Sequence, residues 1–161
     1  MNEILEILEK KGPKITSEQI AHMTGKSEEE VKKEIAELEK NGTIFGYKTM
    51  INWEKTDNEV VSAIIQLRVT PQRGEGFDKI AKRIYKYPQV KSVYLMSSGA
   101  YDLALTIEGS SMKEVAMFVA EKLAPMEAVI STSTHFVLKK YKEHGFLYED
   151  DEKDNRQVIT L

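Results

Sequence analysis

The first part of the chain carries apolar residues at the three- and four-residue spacing of helices. The three stripes are Ile4, Leu5 and Leu8; Ile20, Ala21 and Met23; and Val31, Ile35 and Leu38. Gly12-Pro13 ends the first stripe, and Asn41-Gly42 ends the third. The spacing therefore predicts three helices before residue 43.

Two polar tetrads predict where the second and third helices begin. Thr16 is followed three residues later by Gln19, and Ser27 by Glu30. In each pair the two side chains satisfy each other's backbone amides, which is the capping box of a helix N-terminus. Two capped helices joined by a short turn that contains Gly25 form the signature of a helix-turn-helix.

The stretch that follows predicts a wing and then a linker. Residues 43–51 fit two short strands around Gly46, which completes a winged helix-turn-helix over residues 1–51. Residues 52–59 are polar and show no period, so we expect a linker there.

Beyond residue 59 the apolar spacing changes to the alternation of strands and then switches repeatedly. The predicted strands are 61–69, 90–97, 101–108 and 129–138, a turn lies at 71–74, and the predicted helices are 77–84 and 112–123. This β-α-β-β-α-β order is the ferredoxin-like arrangement, here over residues 60–145. The fold class is α+β. Residues 146–161 form a C-terminal tail that is acidic and then apolar, and we expect its end to be pinned against a neighbouring surface.

Composition favours a globular protein of the cytoplasm. The 161 residues are 41% hydrophobic and 30% charged, and they include no cysteine, which excludes disulfides and thiolate metal sites. No apolar run approaches the roughly 20 residues that span a bilayer, so we expect no membrane partner. The amphipathic pattern begins directly after Met1 without an apolar signal core.

The net charge of the chain does not by itself indicate nucleic-acid binding. The whole chain has a net charge of −3, and residues 1–52 hold eight lysines against ten glutamates. Because phosphate neutralisation supplies much of the affinity for DNA, any DNA contact must use a locally basic face.

The start of the third helix is where a helix-turn-helix reads base edges in the major groove. The candidates that lie off its buried stripe are Ser27, Lys32, Lys33 and Ala36 for bases, with Lys40 and Lys48 for phosphates. Glu29 is a further candidate, because a carboxylate accepts a hydrogen bond from the cytosine amino group. The alternative is a module of the same shape that is used for protein contacts.

Three stretches resemble the Lrp/AsnC family, the feast/famine regulators. The first stretch runs from Val31 through Leu38-Glu39 and Gly42 to Gly46-Tyr47. The second is Gly99-Ala100-Tyr101-Asp102, similar to a G-x-Y-D signature, and the third runs from Ile130 to Tyr141. The resemblance covers roughly residues 1–145. It implies a DNA-binding regulator with an amino acid or related small molecule as effector. It also implies a homodimer built on the sheet domains, often assembled to an octamer.

One position departs from the family pattern. A basic residue usually lies three positions after the valine of the recognition helix, and this chain has Glu34 there. Together with Glu28, Glu29 and Glu30, it predicts an unusually acidic DNA-facing element. This acidity favours the main alternative function, a small-molecule-binding or interaction module that has lost DNA binding.

An amino-acid effector needs a carboxylate for its ammonium group and amides or hydroxyls for its own carboxylate. Asp102 supplies the carboxylate, beside a turn where Gly99 permits close approach to the backbone. The remaining candidates for this effector site are Ser97, Ser98, Tyr101, Thr132, Ser133 and Thr134. The alternative is that Gly99 serves only the hairpin turn and that the hydroxyls pair across strands.

The sequence gives little indication of a metal, cofactor or catalytic site. His22, His135 and His144 have no ligand spacing, so we expect no metal and no cofactor. No serine lies in a nucleophile elbow, and no Gly-rich loop is built to cradle phosphate. A dimeric ferredoxin-like enzyme, such as a small monooxygenase, would lack a base or cofactor constellation here. We therefore expect a transcriptional regulator and not an enzyme.

Overall fold

The two polar tetrads begin helices in a computed structural model of the protein, which describes residues 2–70, 76–97 and 99–148. The Thr16 hydroxyl accepts from the Gln19 amide at 3.1 Å, and the Gln19 side chain accepts from the Thr16 amide at 3.0 Å. Ser27 and Glu30 form the same reciprocal pair. Both predicted capping boxes are confirmed.

Three helices make the first of two structural units, which spans residues 1–51. They are α1 (Glu3–Lys11), α2 (Ser17–Thr24) and α3 (Glu28–Lys40). Gly25 ends α2 in the left-handed conformation with φ of 71°, which an L side chain rarely adopts. The small core contains Ile4, Ile7, Ile20, Ala21 and Val31. The predicted helix-turn-helix is confirmed.

The strands of the predicted wing are not present. Residues 43–52 are all described, and none of them pairs as a strand. Gly46 has no positive φ with which to reverse the chain, and the Phe45 side chain is 97% exposed. A two-stranded hairpin without a buried face is at best marginally stable, so nothing holds these residues in a ladder. The prediction of a wing made of strands was wrong.

The second unit, residues 52–161, contains a four-stranded antiparallel sheet and two helices. Its elements are β1 (Val61–Val69), α4 (Gly76–Ile84), β2 (Val90–Leu95), β3 (Leu103–Gly109), α5 (Met112–Phe118) and β4 (Val129–Phe136), with a π-helical turn at Val119–Leu123. The strand order is β2-β3-β1-β4. The predicted ferredoxin-like topology is therefore confirmed, although the predicted turn at residues 71–74, Ser98 and residues 149–161 lie outside the described part.

The alternation in β1 separates the two faces of this sheet. Ala63, Ile65 and Leu67 are fully buried and pack with residues of both helices in one core. Successive side chains of a strand point to opposite faces, so Ile64 lies on the other, open face of the sheet. Residues directly opposite each other on paired strands share a face, which extends this division to the neighbouring strands. Ile64 is 44% exposed there, and Tyr94 of β2 is 57% exposed.

A short hairpin that the sequence did not predict follows β4. Lys142–Glu143 (β5) pairs with Phe146–Leu147 (β6). His144 and Gly145 between them both have positive φ, as a type I′ turn requires. This hairpin crosses the boundary that we predicted between the sheet domain and the tail. Among the described residues, the structure contains no helix long and apolar enough to cross a membrane.

Candidate DNA-contact helix and effector site

One exposed row on α3 brings together four of the predicted DNA contacts. Glu29, Lys33, Ala36 and Lys40 recur at i, i+4, i+7 and i+11, which is one face of an α-helix. All four are exposed, whereas Val31 on the opposite side is fully buried in the core of the unit. We call these four residues the α3 row.

The other three predicted contacts lie elsewhere. The Ser27 hydroxyl is already engaged, because it accepts from the Glu30 amide and donates to the Glu30 carboxylate at 2.7 Å. Lys32 is off the α3 row and forms an ion pair with Glu28 at 2.6 Å. This hydrogen bond raises the pKa of Lys32. Lys48 is exposed in the strandless segment after α3.

Two glutamates of α3, Glu30 and Glu34, accept hydrogen bonds from other residues of the unit. Glu34 accepts from the Lys26 ammonium and from the Asn2 side-chain amide, the latter at 2.8 Å. These two bonds, the one from Lys26 first, lower the pKa of Glu34. The pKa of Glu30 is also lowered, chiefly by its hydrogen bond from the Ser27 amide. Glu34 is thus paired with Lys26 and Asn2, and the DNA-facing acidic element that includes it stays a prediction.

In the second unit, Asp102 ties the β2–β3 connection to the end of β1. Its backbone amide donates to the Leu67 carbonyl at 2.9 Å, and its carbonyl accepts from the Met96 amide at 2.8 Å. Its carboxylate accepts from the Val69 amide at 2.8 Å. A carboxylate offers about four lone-pair positions, so this bond leaves acceptor capacity for an ammonium group.

The turn residues near Asp102 are accessible. Ser97 and Gly99 are exposed, and Tyr101 is half-buried. A Cβ placed on Gly99 would meet no atom within 4 Å, and Gly99 has no positive φ. The backbone of this turn therefore has open space beside it, but its conformation does not require glycine. Ser98, the remaining candidate of the turn, lies outside the described residues.

The three hydroxyl residues of β4 are divided between the two faces of the sheet. Thr132 and Thr134 lie opposite Leu67 and Ile65, so they are on the helix-covered face and half-buried. Ser133 is on the open face, where its hydroxyl lies 3.1 Å from a ring nitrogen of His135. Leu67 of β1 pairs with Leu103 of β3 and with Thr132 of β4. Thr132 is therefore the β4 candidate closest in register to Asp102, which directly precedes Leu103. β3 and β4 are two strand spacings apart, about 10 Å.

A cluster that sequence reasoning missed lies beside the hairpin. Lys140 contacts Glu143 at 3.1 Å, and the Tyr148 hydroxyl donates to the same carboxylate at 2.7 Å. The bond to Glu143 raises the pKa of Tyr148 to about 12. Burial opposes ionisation of Glu143, but the bonds from Tyr148 and Lys140 prevail and lower its pKa. This cluster borders a cavity of about 110 Å³ that is also lined by Trp53.

Comparison with known proteins identifies the family to which the chain belongs. The Lrp/AsnC ligand binding domain family matches residues 62–147, just over half of the chain. The chain belongs to the Lrp/AsnC family. It is a helix-turn-helix transcriptional regulator, whose relatives carry the same description.

Named relatives support this assignment along the whole chain. The uncharacterized HTH-type transcriptional regulator YugG of Bacillus subtilis is 49% identical over 159 residues, 98% of this chain and 95% of its own length. The leucine-responsive regulatory protein of Haemophilus influenzae is 25% identical and covers 89% of this chain and 85% of its own. The identity to the Bacillus subtilis regulator over nearly the whole chain supports the family assignment.

Solved structures share the fold. A Neisseria meningitidis transcriptional regulator in complex with L-Met has a TM-score of 0.70 at 22% identity, covering 88% of this chain and 89% of its own. The Escherichia coli AsnC structure has a TM-score of 0.68 at 16% identity, covering 88% and 91%. These similarities confirm the helix-turn-helix followed by a ferredoxin-like domain.

Proposed function

We propose that this regulator binds double-stranded DNA through the α3 row and that a free amino acid, bound near Asp102, changes its affinity for DNA. The observation that carries the proposal is the α3 row itself. It is an exposed, partly basic stripe that lies opposite the buried side of a helix whose N-terminus is capped. In a helix-turn-helix, this helix enters the major groove with its first turns against base edges.

The residues of the α3 row have distinct roles in this proposal. Glu29 and Lys33, in the first two turns, reach bases, where a lysine suits guanine and a carboxylate suits the amino group of cytosine. Ala36 supplies apolar contact, for which the thymine methyl group is the natural partner. Lys40, in the last turn, contacts phosphate. With Ser27 engaged in the cap and Lys32 paired to Glu28, neither is required for base contacts.

The effector side of the proposal depends on the carboxylate of Asp102 and the open turn beside it. An amino acid presents an ammonium group to Asp102, while Thr132 and the backbone near Gly99 are available to its carboxylate. The Neisseria regulator of the same fold was solved in complex with L-Met, which is a free amino acid. Ser97 and Tyr101 border the same turn, whereas Ser133 points to the open face and is assigned to dimer contacts instead.

The open face of the sheet is the surface proposed for the homodimer. It exposes Ile64 and Tyr94 next to polar neighbours. Ser92, which lies on the same face, has a buried hydroxyl with no hydrogen-bond partner among the described residues. A second copy would cover the apolar side chains and place two copies of α3 on one two-fold DNA site. Octamers would then form from such dimers.

The effector regulates DNA binding only if it binds one state of the assembly more tightly than another. A coupling of this kind is reciprocal, so DNA must change effector affinity by the same factor. The interaction-module alternative gains no support from the relatives, whose names describe transcriptional regulators.

The test is a titration of the regulator against its own upstream DNA and an unrelated duplex. It should be run at low and physiological salt, with a pool of the twenty amino acids added or withheld. We expect tighter binding to the upstream DNA and a change on adding the pool. Lys33→Met should weaken binding, whereas Lys10→Met, an exposed lysine of α1, should change it much less. Equal affinity for both duplexes in every lane would refute the proposed function.

A further inference from the structure

Glu34 joins three parts of the first unit. The Asn2 side chain caps α1 by accepting from the Ile4 amide at 2.9 Å, and its amide nitrogen donates to Glu34 at 2.8 Å. The other carboxylate oxygen of Glu34 pairs with the ammonium group of Lys26. The start of α1, the turn before α3 and the middle of α3 are thus connected through one carboxylate.

The position of Lys26 makes this ion pair relevant to DNA. Lys26 immediately precedes Ser27, the N-cap of α3, so it lies at the end of the recognition helix that approaches DNA in the proposed function. Helix N-termini and adjacent lysines are common partners of phosphate groups. Glu34 itself is not on the α3 row, because it shares a neighbouring acidic row with Glu30 and Glu37 at i, i+4 and i+7 spacing.

A phosphate group and Glu34 therefore compete for the same ammonium group. Lys26 and Glu34 are 40% and 29% exposed, so the pair is accessible to solvent and to a ligand. In the free protein Lys26 is held along α3 by Glu34, although it is a long side chain that would otherwise extend from the turn. To extend from the turn towards a phosphate, the Lys26 side chain must leave the position along α3 in which it pairs with Glu34.

We propose that Glu34 withholds Lys26 from DNA phosphate and thereby lowers the affinity of this regulator for DNA of any sequence. The inference rests on the proposed function, since it takes α3 as the helix that faces DNA. Glu34 acts as a positioning residue: it touches no base, and it sets the orientation of a lysine that contacts only the backbone. A regulator with a weaker non-specific contact is less retained by unrelated chromosomal DNA.

The size of the effect follows from the exposure of the pair. An exposed ion pair changes an equilibrium by roughly 1.4- to 5-fold, so two recognition helices on one DNA would give roughly 2- to 25-fold. Each lysine that gains a phosphate contact also steepens the dependence of log affinity on log salt by about 0.9. A contact that reads no base acts equally on all sequences.

The decisive variant is Glu34→Gln, which removes the charge and keeps an oxygen that can accept from Asn2. Its matched control is Glu37→Gln, which makes the same change of charge one turn further along the same acidic row. Both are titrated against an unrelated duplex at about 50 mM and about 200 mM salt. We expect Glu34→Gln to bind more tightly than Glu37→Gln, with the steeper salt dependence. Lys26→Met added to Glu34→Gln should abolish both differences.

A second comparison uses Lys26 alone, in the otherwise unchanged protein. Because Lys26 is withheld, Lys26→Met should change affinity for the unrelated duplex less than Lys40→Met does, since Lys40 is the proposed phosphate contact of the α3 row. Equal affinities for Glu34→Gln and Glu37→Gln would overturn the inference, as would a gain in Glu34→Gln that survives Lys26→Met. A different result would refute the proposed function. That result is equal binding of the unchanged protein to its upstream DNA and to the unrelated duplex.

Discussion

Replacing Asp102 separates the structural role of this residue from its proposed role in effector binding. Its carboxylate accepts from the Val69 amide at 2.8 Å, and Val69 is only 5% exposed. In Asp102→Ala that amide loses its acceptor in a place with little access to water. Asp102→Asn keeps an oxygen at the same position but no longer carries the charge that an ammonium group requires.

The expected stability changes differ accordingly. A buried donor left without its acceptor costs about 1–3 kcal/mol, whereas exchanging a charged acceptor for a neutral one costs about 1 kcal/mol or less. For a domain of this size, 1 kcal/mol corresponds to roughly 4–8 °C in melting temperature. Asp102→Ala should therefore melt roughly 5–20 °C below the unchanged protein, and Asp102→Asn within several degrees of it.

Unfolding can be followed by the fluorescence of Trp53, the single tryptophan, which belongs to the same unit as Asp102. Protein concentration must be held constant because a dimer melts in a concentration-dependent way. An Asp102→Ala variant that unfolds together with the unchanged protein would refute the assignment of the Val69 bond. A folded Asp102→Asn variant that still responds to the amino-acid pool would refute the assignment of the ammonium site.

Three further predictions concern the core, a helix cap and a titrating group. Ile65→Ala, at a fully buried position of β1, should cost about 2–5 kcal/mol of unfolding free energy because it leaves a cavity. Ile64→Ala on the open face should cost much less in denaturant titrations below the dimerisation range. Thr16→Ala should cost about 0.5–2 kcal/mol and reduce the thermal stability of the helical circular dichroism signal, since it removes the N-cap of α2. Tyr148 should ionise near pH 12 in an ultraviolet titration, later than an ordinary tyrosine, and its shift should fall in Glu143→Gln. Because its folded pKa is raised, the stability that this bond contributes is present below about pH 10 and lost as the pH rises towards 12. A titration curve unchanged by Tyr148→Phe would contradict that assignment.

The open face of the sheet supplies a separate test of assembly. Ile64→Glu places a charge at an exposed centre of that face without disturbing the buried one. We expect the variant to sediment as a smaller species than the unchanged protein while it keeps the helical circular dichroism signal of a folded chain at low temperature. A variant of unchanged mass would remove this face from the proposed dimer.

Much of the fold could be predicted from signals that are local in the sequence. The capping boxes at Thr16 and Ser27 are satisfied within four residues, so their sequence pattern alone predicts where α2 and α3 begin. The alternation along β1 and the helical stripes of the two units likewise report which side of each element is buried. Because these signals are short in range and repeated, they also determined the order of elements and thus the ferredoxin-like topology.

The wing shows how a local signal fails. Phe45 and Tyr47 have the composition of strands, but strand pairing needs a buried face and a reversal of the chain, and neither is present at residues 43–51. The hairpin of β5 and β6 was missed for the opposite reason. Its His144-Gly145 turn is short and lacks the usual asparagine or aspartate signal.

The candidate sites depended still more on the tertiary structure. The sequence alone determined which residue types are available: the lysines of α3, the carboxylate of Asp102 and the hydroxyls of β4. Only the folded chain decided that Glu34 is bound to Lys26 and Asn2, that Thr132 and Ser133 lie on opposite faces, and that Asp102 already holds the Val69 amide. The physical reason is range: caps and periodic stripes are set by neighbours along the chain, whereas ion pairs and strand register join residues brought together by packing.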